Sequence, residues 1–425
     1  MAQFTASVHQ NEFLPDGGTD VHAIVTVTAS GAGAAGQSGS GDVGEIVIID
    51  TSGSMTGSNI VAAQQAAVAA IDQIHDGVWF AVIGGSHVAS LVFPGGRALG
   101  MVRMDAHARA AARAAVASLR ADGGTAMGTW LQLAARVFGT VPSLGQRHAI
   151  LLTDGANQHE TPEQLTATIG AVTGQFQCDC RGVGAAWQVD EVRRIATALL
   201  GSVDIIPSPD QMAGQFAELM QQAMSRGIAD ARLRMWVPQG AEILFVRQVA
   251  PTVEDLTGRR QEVNPLTGAY PTGSWGDESR DYHVAIRLAA KAIGQEQLAA
   301  RVQLALGEEV VAQGLVKAQW SNDDTLTTRI SPEVAHYTGQ TELASMIQDG
   351  LAAKAAGDTV TATTKLGRAV QLAAETGNDE ATTRLRKVVD IDDAETGTVR
   401  LRRSVDKLDE MALDTASTKT TRIKK

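Results

Sequence analysis

Hydrophobic and polar positions change their period three times along the 425 residues. Near the start, residues 3–9 and 20–29 alternate (Phe4, Ala6, Val8; then Val21, Ala23, Val25, Val27), with Pro15, Asp16, Gly17 and Gly18 between them. That spacing predicts two antiparallel strands joined by a loop. From 43 to 227, unbroken apolar runs are separated by segments of helical period. Strands are expected at 44–50, 78–84, 88–93, 148–153, 176–184 and 203–206, and helices at 57–75, 105–121, 127–138, 161–173, 189–200 and 209–226. Apolar runs rich in Val and Ile fit strands buried on both faces. Their alternation with helices predicts a mostly parallel, doubly wound, Rossmann-like α/β domain.

From 228 to 330 the period returns to two (Leu233, Met235, Val237, then 241–248, 281–288, 300–306 and 309–318), broken by Pro- and Gly-rich turns. This predicts an antiparallel β-sandwich. A lone hairpin is marginal in water, so residues 1–30 are expected to complete that sandwich. The α/β domain is then inserted in the sandwich or followed by it. Beyond Pro332 the helical period dominates, at 340–356, 358–376, 378–391 and 398–413. Residues 331–413 are therefore expected to form a helical hairpin or small bundle. Residues 31–42, rich in Gly, Ala and Ser, read as a flexible linker, and the polar stretch 414–425 as a disordered tail.

Composition narrows this picture. Aromatic residues supply only 4% of the chain, so Ala, Val, Leu and Ile must fill the cores by close packing. A net charge of −11 gives no basic excess with which to displace counterions from nucleic acid. No basic stretch followed by an apolar one opens the chain, and no apolar run approaches a membrane span, so a cytoplasmic protein is expected. Cys178 and Cys180 lie two apart on an expected strand, poor geometry for a mutual disulfide. They read as buried, inert thiols. Gly31, Gly33 and Gly36 satisfy G-x-G-x-x-G, but the Gln, Ser and Gly residues that follow cannot open the helix a dinucleotide site needs.

Chemistry concentrates at the ends of two apolar runs. Glu45-Ile-Val-Ile-Ile-Asp50 is followed by Ser52 and Ser54 at alternate positions. Asp122-Gly-Gly-Thr125 places a hydroxyl at a glycine-rich helix entry, and Leu151-Leu-Thr-Asp154-Gly155 ends a second buried strand on a carboxylate. Loops at the carboxyl ends of parallel strands are where open α/β sheets bind ligands. Oxygen donors with few carboxylates suit Mg²⁺ better than zinc or copper. As single residues these would read as helix caps and turns.

Taken together, D-x-S-x-S, G-G-T and L-T-D-G at successive strand–helix junctions resemble the von Willebrand factor A domain and its metal-ion-dependent adhesion site, in a form like that of bacterial cytosolic members. The resemblance covers about 43–227. It implies that Ser52 and Ser54 ligate Mg²⁺ (or Mn²⁺) directly. Asp50 and Asp154 would hold the ion largely through waters, and Thr125 would join when a partner is bound. It further implies a protein–protein interaction module whose partner completes the site with an Asp or Glu. The partner could be an AAA-type ATPase or a kinase-linked assembly, with neither nucleic acid nor membrane involved. Neutral hydroxyls leave a divalent cation under-neutralised and so attractive to such a carboxylate.

Enzyme readings fare worse. An aspartyl phosphatase needs a second aspartate where Ser52 stands, Gly53-Ser54-Met55 is not a nucleophile elbow, and no P-loop occurs. A metal-dependent, phosphatase-like hydrolase and a scaffold without metal-dependent binding remain the alternatives to a non-enzymatic binding module. His148 and His159 flank the Asp154 segment and are expected at the surface or a boundary. Arg400, Arg402, Arg403 and Lys407 read as a solvated helix face. Thr415, Thr418, Thr420 and Thr421 are candidate phosphorylation sites in the tail.

Overall fold

The computed structural model describes residues 2–35, 42–96 and 98–423. It divides into two compact units, one made of residues 1–32 and 230–425 and the other of 33–229. The α/β region is thus an insertion.

The chain begins with β1 (Gln3–Gln10), β2 (Phe13–Leu14) and β3 (Asp20–Ser30), followed by a single helical turn, α1 (Ala32–Ala35). Of the glycine-rich linker expected over 31–42, only the ends are described. They are α1 and Asp42, which already starts a strand, whereas 36–41 lie outside the described residues.

The inserted unit then runs β4 (Asp42–Asp50), α2 (Ser58–Gln73), β5 (Trp79–Gly85), β6 (Ala89–Phe93), β7 (Val102–Arg103), α3 (Ala106–Ala117) and α4 (Met127–Phe138). It continues with β8 (Leu144–Thr153), α5 (Pro162–Val172), β9 (Gln177–Val183), α6 (Val189–Ala198), β10 (Val203–Ile206) and α7 (Met212–Met224). Its sheet has the order β10-β9-β8-β4-β5-β6, with β7 pairing β5. The strands from β10 to β5 are mutually parallel; β6 and β7 are antiparallel to β5. β4 and β8 are neighbours in space although β5–β7 intervene in sequence, so the strand order reverses beside β4. That reversal opens a crevice at the carboxyl end of β4.

Val47, Ile49, Ile150 and Leu152 project to one face and pack on α2, α3 and α7. The buried side of α2 is Ala62, Ala63, Ala66, Ala67 and Ala70, small enough for close approach of α7 in a chain poor in aromatics. Helix entries follow the expected capping chemistry. Asp105 accepts from the Ala108 amide, and Thr161 with Gln164 forms a capping box ahead of Pro162.

The other unit resumes with β11 (Ala231–Trp236), β12 (Glu242–Ala250), β13 (Glu254–Asp255), β14 (Gln261–Asn264), β15 (Thr267–Pro271), β16 (Ser279–Arg287), β17 (Glu296–Leu306) and β18 (Glu309–Trp320). Two sheets result, β1-β3-β16-β12-β13 and β14-β15-β11-β17-β18-β2. The N-terminal strands join both, β1 and β3 one sheet and β2 the other. The sheets approach closely where Gly314 faces Val8, since a β-carbon there would lie 2.6 Å from a Val8 methyl.

The chain ends with α8 (Asp324–Thr327), α9 (Pro332–Ala355), α10 (Thr359–Glu375), α11 (Asp379–Val388), β19 (Val389–Asp393), β20 (Thr398–Leu401) and α12 (Lys407–Ala416). Four expectations are corrected here. Helix 378–391 stops at Val388, and 398–401 is a strand. The alternating Val389, Ile391, Val399 and Leu401 form a β19–β20 hairpin that packs on α10. Arg400 and Arg402 consequently pair across that hairpin with Asp392 and Asp390 rather than lining a helix. The tail is ordered as far as 423. Its backbone bridges Thr252 at Lys419, the Thr420 hydroxyl donates to the Val249 carbonyl, and the Arg422 guanidinium donates to the Ser279 carbonyl. Docking to a sheet edge supplies the partners that its polar composition lacks internally. Among the described residues, no helix is long and apolar enough to cross a membrane.

Candidate functional site

β4 and β8 end side by side, with Ile49 opposite Leu152 in parallel register, so the chain leaves the sheet twice at one place. Asp50 is the last residue of β4 and is fully buried. One of its oxygens accepts from the Ser52 amide at 2.7 Å, and the other from the Thr153 hydroxyl at 2.6 Å. Burial raises the Asp50 carboxyl above its ordinary range against the opposing pull of these hydrogen bonds, and the neighbouring Asp154 adds to the rise.

The turn after Asp50 brings the Ser52 and Ser54 hydroxyls within 3.0 Å of each other. Ser54 also donates to Asp154 at 2.5 Å, which links the two loops directly. The second Asp154 oxygen accepts from the Asn59 side-chain amide at 2.9 Å, in the first turn of α2.

The third loop is tied to the first by backbone. The Gly53 amide donates to the Gly123 carbonyl, and the Asp122 amide to the Thr51 carbonyl. The Thr125 carbonyl accepts from the Gln158 and His159 amides, which anchors this loop to the one after β8 as well. A β-carbon on Gly155 would lie 3.2 Å from Ser54 Oγ and 3.5 Å from Thr125 Oγ1. Hydroxyls from two separate loops therefore converge over one residue that has no side chain. All five residues singled out in the sequence meet at the carboxyl ends of β4 and β8. Ser52, Thr125 and Asp154 are almost fully buried, and Ser54 is exposed at the mouth.

The donor set is three neutral hydroxyls and two carboxylates, Asp50 accepting from Ser52 and Thr153 and Asp154 from Ser54 and Asn59. Hard oxygen donors of this kind fit a small divalent cation. Among the described residues no three His, Cys, Asp or Glu side chains gather in a metal-holding group. Thr153, Asn59 and Gly155 were not singled out by sequence. Thr153 and Gly155 sit inside the quoted L-T-D-G, and Asn59 stands one turn after D-x-S-x-S.

His148 departs from expectation. It is neither at the surface nor near the loops, because β8 starts at Leu144 and carries it into the middle of the sheet. There its Nδ1 lies 2.7 Å from Glu45 and its Nε2 2.9 Å from Asp179, all three side chains being at most 2% exposed. Arg226, just after α7, lies 3.5 Å from Asp179. Two ionised carboxylates on one ring are both satisfied when both nitrogens donate, as in an imidazolium. Burial opposes that charge, but Glu45 and Asp179 raise His148 to about 9. Burial likewise opposes the charge on Asp179, yet the His148 hydrogen bond and the Arg226 charge hold its carboxyl well below the usual range. Glu45, with one oxygen unpartnered, is raised by burial. Cys178 and Cys180 flank Asp179, buried and unbridged. The Cys178 thiol is pushed up by its contact with Cys180 and by burial, which removes the reactive thiolate.

Residues 44–205 match the von Willebrand factor type A domain model, and residues 371–417 match that of a von Willebrand factor type A C-terminal domain. The chain is similar to a solved von Willebrand factor type A protein from Catenulispora acidiphila. Identity is 47% with a TM-score of 0.93, covering 99% of this chain and 97% of that one. The structure of the ArnB paralog VWA2 from Sulfolobus acidocaldarius aligns over 98% of each chain with a TM-score of 0.56 at 14% identity, a likeness of fold alone. A curated but uncharacterized protein of Synechocystis sp. is 28% identical over 220 residues, 51% of this chain. The match spans 50% of that relative's length.

Proposed function

Because the chain belongs to the von Willebrand factor type A family, whose domains generally mediate protein–protein interaction and often bind a divalent metal, we propose that it is a metal-dependent protein-binding module and not an enzyme. The observation that carries this reading is the convergence of Ser54 and Thr125 over Gly155, beside Ser52, Asp50 and Asp154, at the strand-order reversal. Ser52, Ser54 and Thr125 would hold Mg²⁺ or Mn²⁺ through their hydroxyls, with Asp50 and Asp154 orienting those hydroxyls and the surrounding waters. When bound, the ion supplies positive charge with exchangeable coordination positions. The chain's own part is to keep that charge under-neutralised. Asp50 spends its oxygens on Ser52 and Thr153, and Asp154 on Ser54 and Asn59. A partner's Asp or Glu is then the natural completing ligand.

The test is partner capture by immobilised wild type and Asp50→Ala, each with and without a chelator. Capture by wild type with Mg²⁺ alone is the expected result. Equal capture under all four conditions overturns the reading.

A further inference from the structure

Beside the hydroxyl-lined site lies a pair of imidazoles with different chemistry. His87 stands in the loop between β5 and β6, and His159 in the loop between β8 and α5, both exposed. Their ring centroids are 5.8 Å apart and tilted by 42°. The rings rest on consecutive glycines. A β-carbon on Gly123 would come 2.3 Å from His87 Nδ1, and one on Gly124 would come 1.8 Å from His159 Cε1 and 2.0 Å from its Nδ1. Any side chain at either position would displace a ring. Gly123, at φ +80°, also has a backbone conformation that other residues rarely adopt. Among the described residues, neither imidazole has a hydrogen-bond or ionic partner.

The rings meet in a tilted contact instead of a parallel stack, and both are exposed, so burial contributes little to bringing them together. One distance does fit. Imidazole nitrogens bind first-row transition ions at about 2.0–2.1 Å, which places the centroids of two rings sharing an ion about 5–6 Å apart.

We propose that His87 and His159 form a two-histidine site for a borderline transition-metal ion of the Zn²⁺, Ni²⁺ or Cu²⁺ class. Imidazole nitrogen selects such ions, whereas hydroxyl and carboxylate oxygen select Mg²⁺, so the two sites on this face do not compete. Water or a partner's side chain fills the remaining positions. The ion ties the loop after β5 to the loop after β8, across the Gly123-Gly124 segment that leads to Thr125. Because its ligands are distinct from the five hydroxyl and carboxylate residues, the site stands or falls independently of Mg²⁺ binding.

The experiment is calorimetric titration of the untagged full chain with Zn²⁺ in excess Mg²⁺, repeated for His87→Ala, His159→Ala, Asp50→Ala and His22→Ala. His22 is included because it lies 3.3 Å from His283 and forms another imidazole pair. One Zn²⁺ per chain is expected. Affinity should fall about tenfold or more in each of the first two variants, since a single imidazole is only an ordinary surface ligand, and should hold in the other two. Both rings are exposed, so unchanged melting temperatures would show the variants folded, and His→Gln replaces any that is not. Cu²⁺ bound to wild type should show resonance coupling to two imidazole nitrogens. The proposal is overturned if no Zn²⁺ binds or if both His87→Ala and His159→Ala bind as wild type does. It is equally overturned if binding is lost only with Asp50→Ala or His22→Ala.

Discussion

Two polar clusters share the strands β4 and β8, and they are built on opposite terms. At the carboxyl ends, Asp50 and Asp154 meet hydroxyls with spare lone pairs, at a mouth where Ser54 is exposed. Five residues earlier on β4, about 16 Å along a strand, Glu45 meets His148 and Asp179 in full burial. The first cluster gathers oxygens from three loops and opens to solvent at Ser54. The second pairs its charges internally, with Glu45, His148 and Asp179 each at most 2% exposed. Buried charge in an α/β sheet is thus not a marker of function by itself; convergence of unshared donors at a strand-order reversal is the better sign.

That contrast can be broken most forcefully at His148. His148→Ala leaves two buried carboxylates facing each other and should destabilise the chain by about 3–5 kcal/mol in chemical denaturation, the range for orphaned buried charge. Mg²⁺ affinity of the folded fraction should be unchanged. A loss of Mg²⁺ binding equal to that in Asp50→Ala would erase the distinction between the clusters.

A smaller effect follows from pH. The folded pKa of His148, raised to about 9, lies above its unfolded value. Its contribution is therefore complete below about pH 6.5 and is lost as pH rises through 9. Stability should fall by roughly 2–3 kcal/mol between pH 7 and 10, more steeply than in a His148→Met variant, where that slope should be absent. Melting curves of both proteins across this range decide the matter.

Least of all should stability respond to Asp50→Asn. The amide oxygen still accepts from Ser52, Thr153 can turn to accept from the amide nitrogen, and a buried charge disappears. The expected change is within about 1 kcal/mol, while Mg²⁺ affinity drops by about tenfold or more. A large destabilisation without loss of Mg²⁺ would reverse the roles assigned to the clusters.

The legibility of the two clusters in sequence differs for a physical reason. Asp50, Ser52 and Ser54 lie in one pentapeptide, and Thr125 and Asp154 each sit in a short segment at the end of a recognisable element. Local spacing therefore announces them. Glu45 and His148 are 103 residues apart in the chain, His148 and Asp179 a further 31, and the three meet only through strand pairing. Their one sequence signal is a charged or polar residue inside an otherwise apolar strand, which taken alone reads as a strand end. His87 was missed for the same reason, its neighbour His159 being 72 positions away in the chain. The β19–β20 hairpin was legible in principle, since Val389, Ile391, Val399 and Leu401 alternate, but the helical period on either side masked so short a run. The tail was misread because composition reports only what a segment can do for itself, and its hydrogen bonds go to β12 and β16.

The insertion also sets an order of events during synthesis. Residues 33–229 are contiguous and can fold as they emerge, whereas β3 pairs with β16 about 250 positions later, as at Thr28 and Ser279. At ordinary ribosomal speed, β3 waits on the order of ten to fifty seconds with an unpaired edge before its partner strand exists. Early folding of the inserted unit brings the chain ends at 33 and 229 to fixed positions during that interval, which shortens the loop that β3 and β16 must close. The inserted unit would then act first as a folding aid for the sheet that surrounds it in sequence, and only afterwards as a binding module.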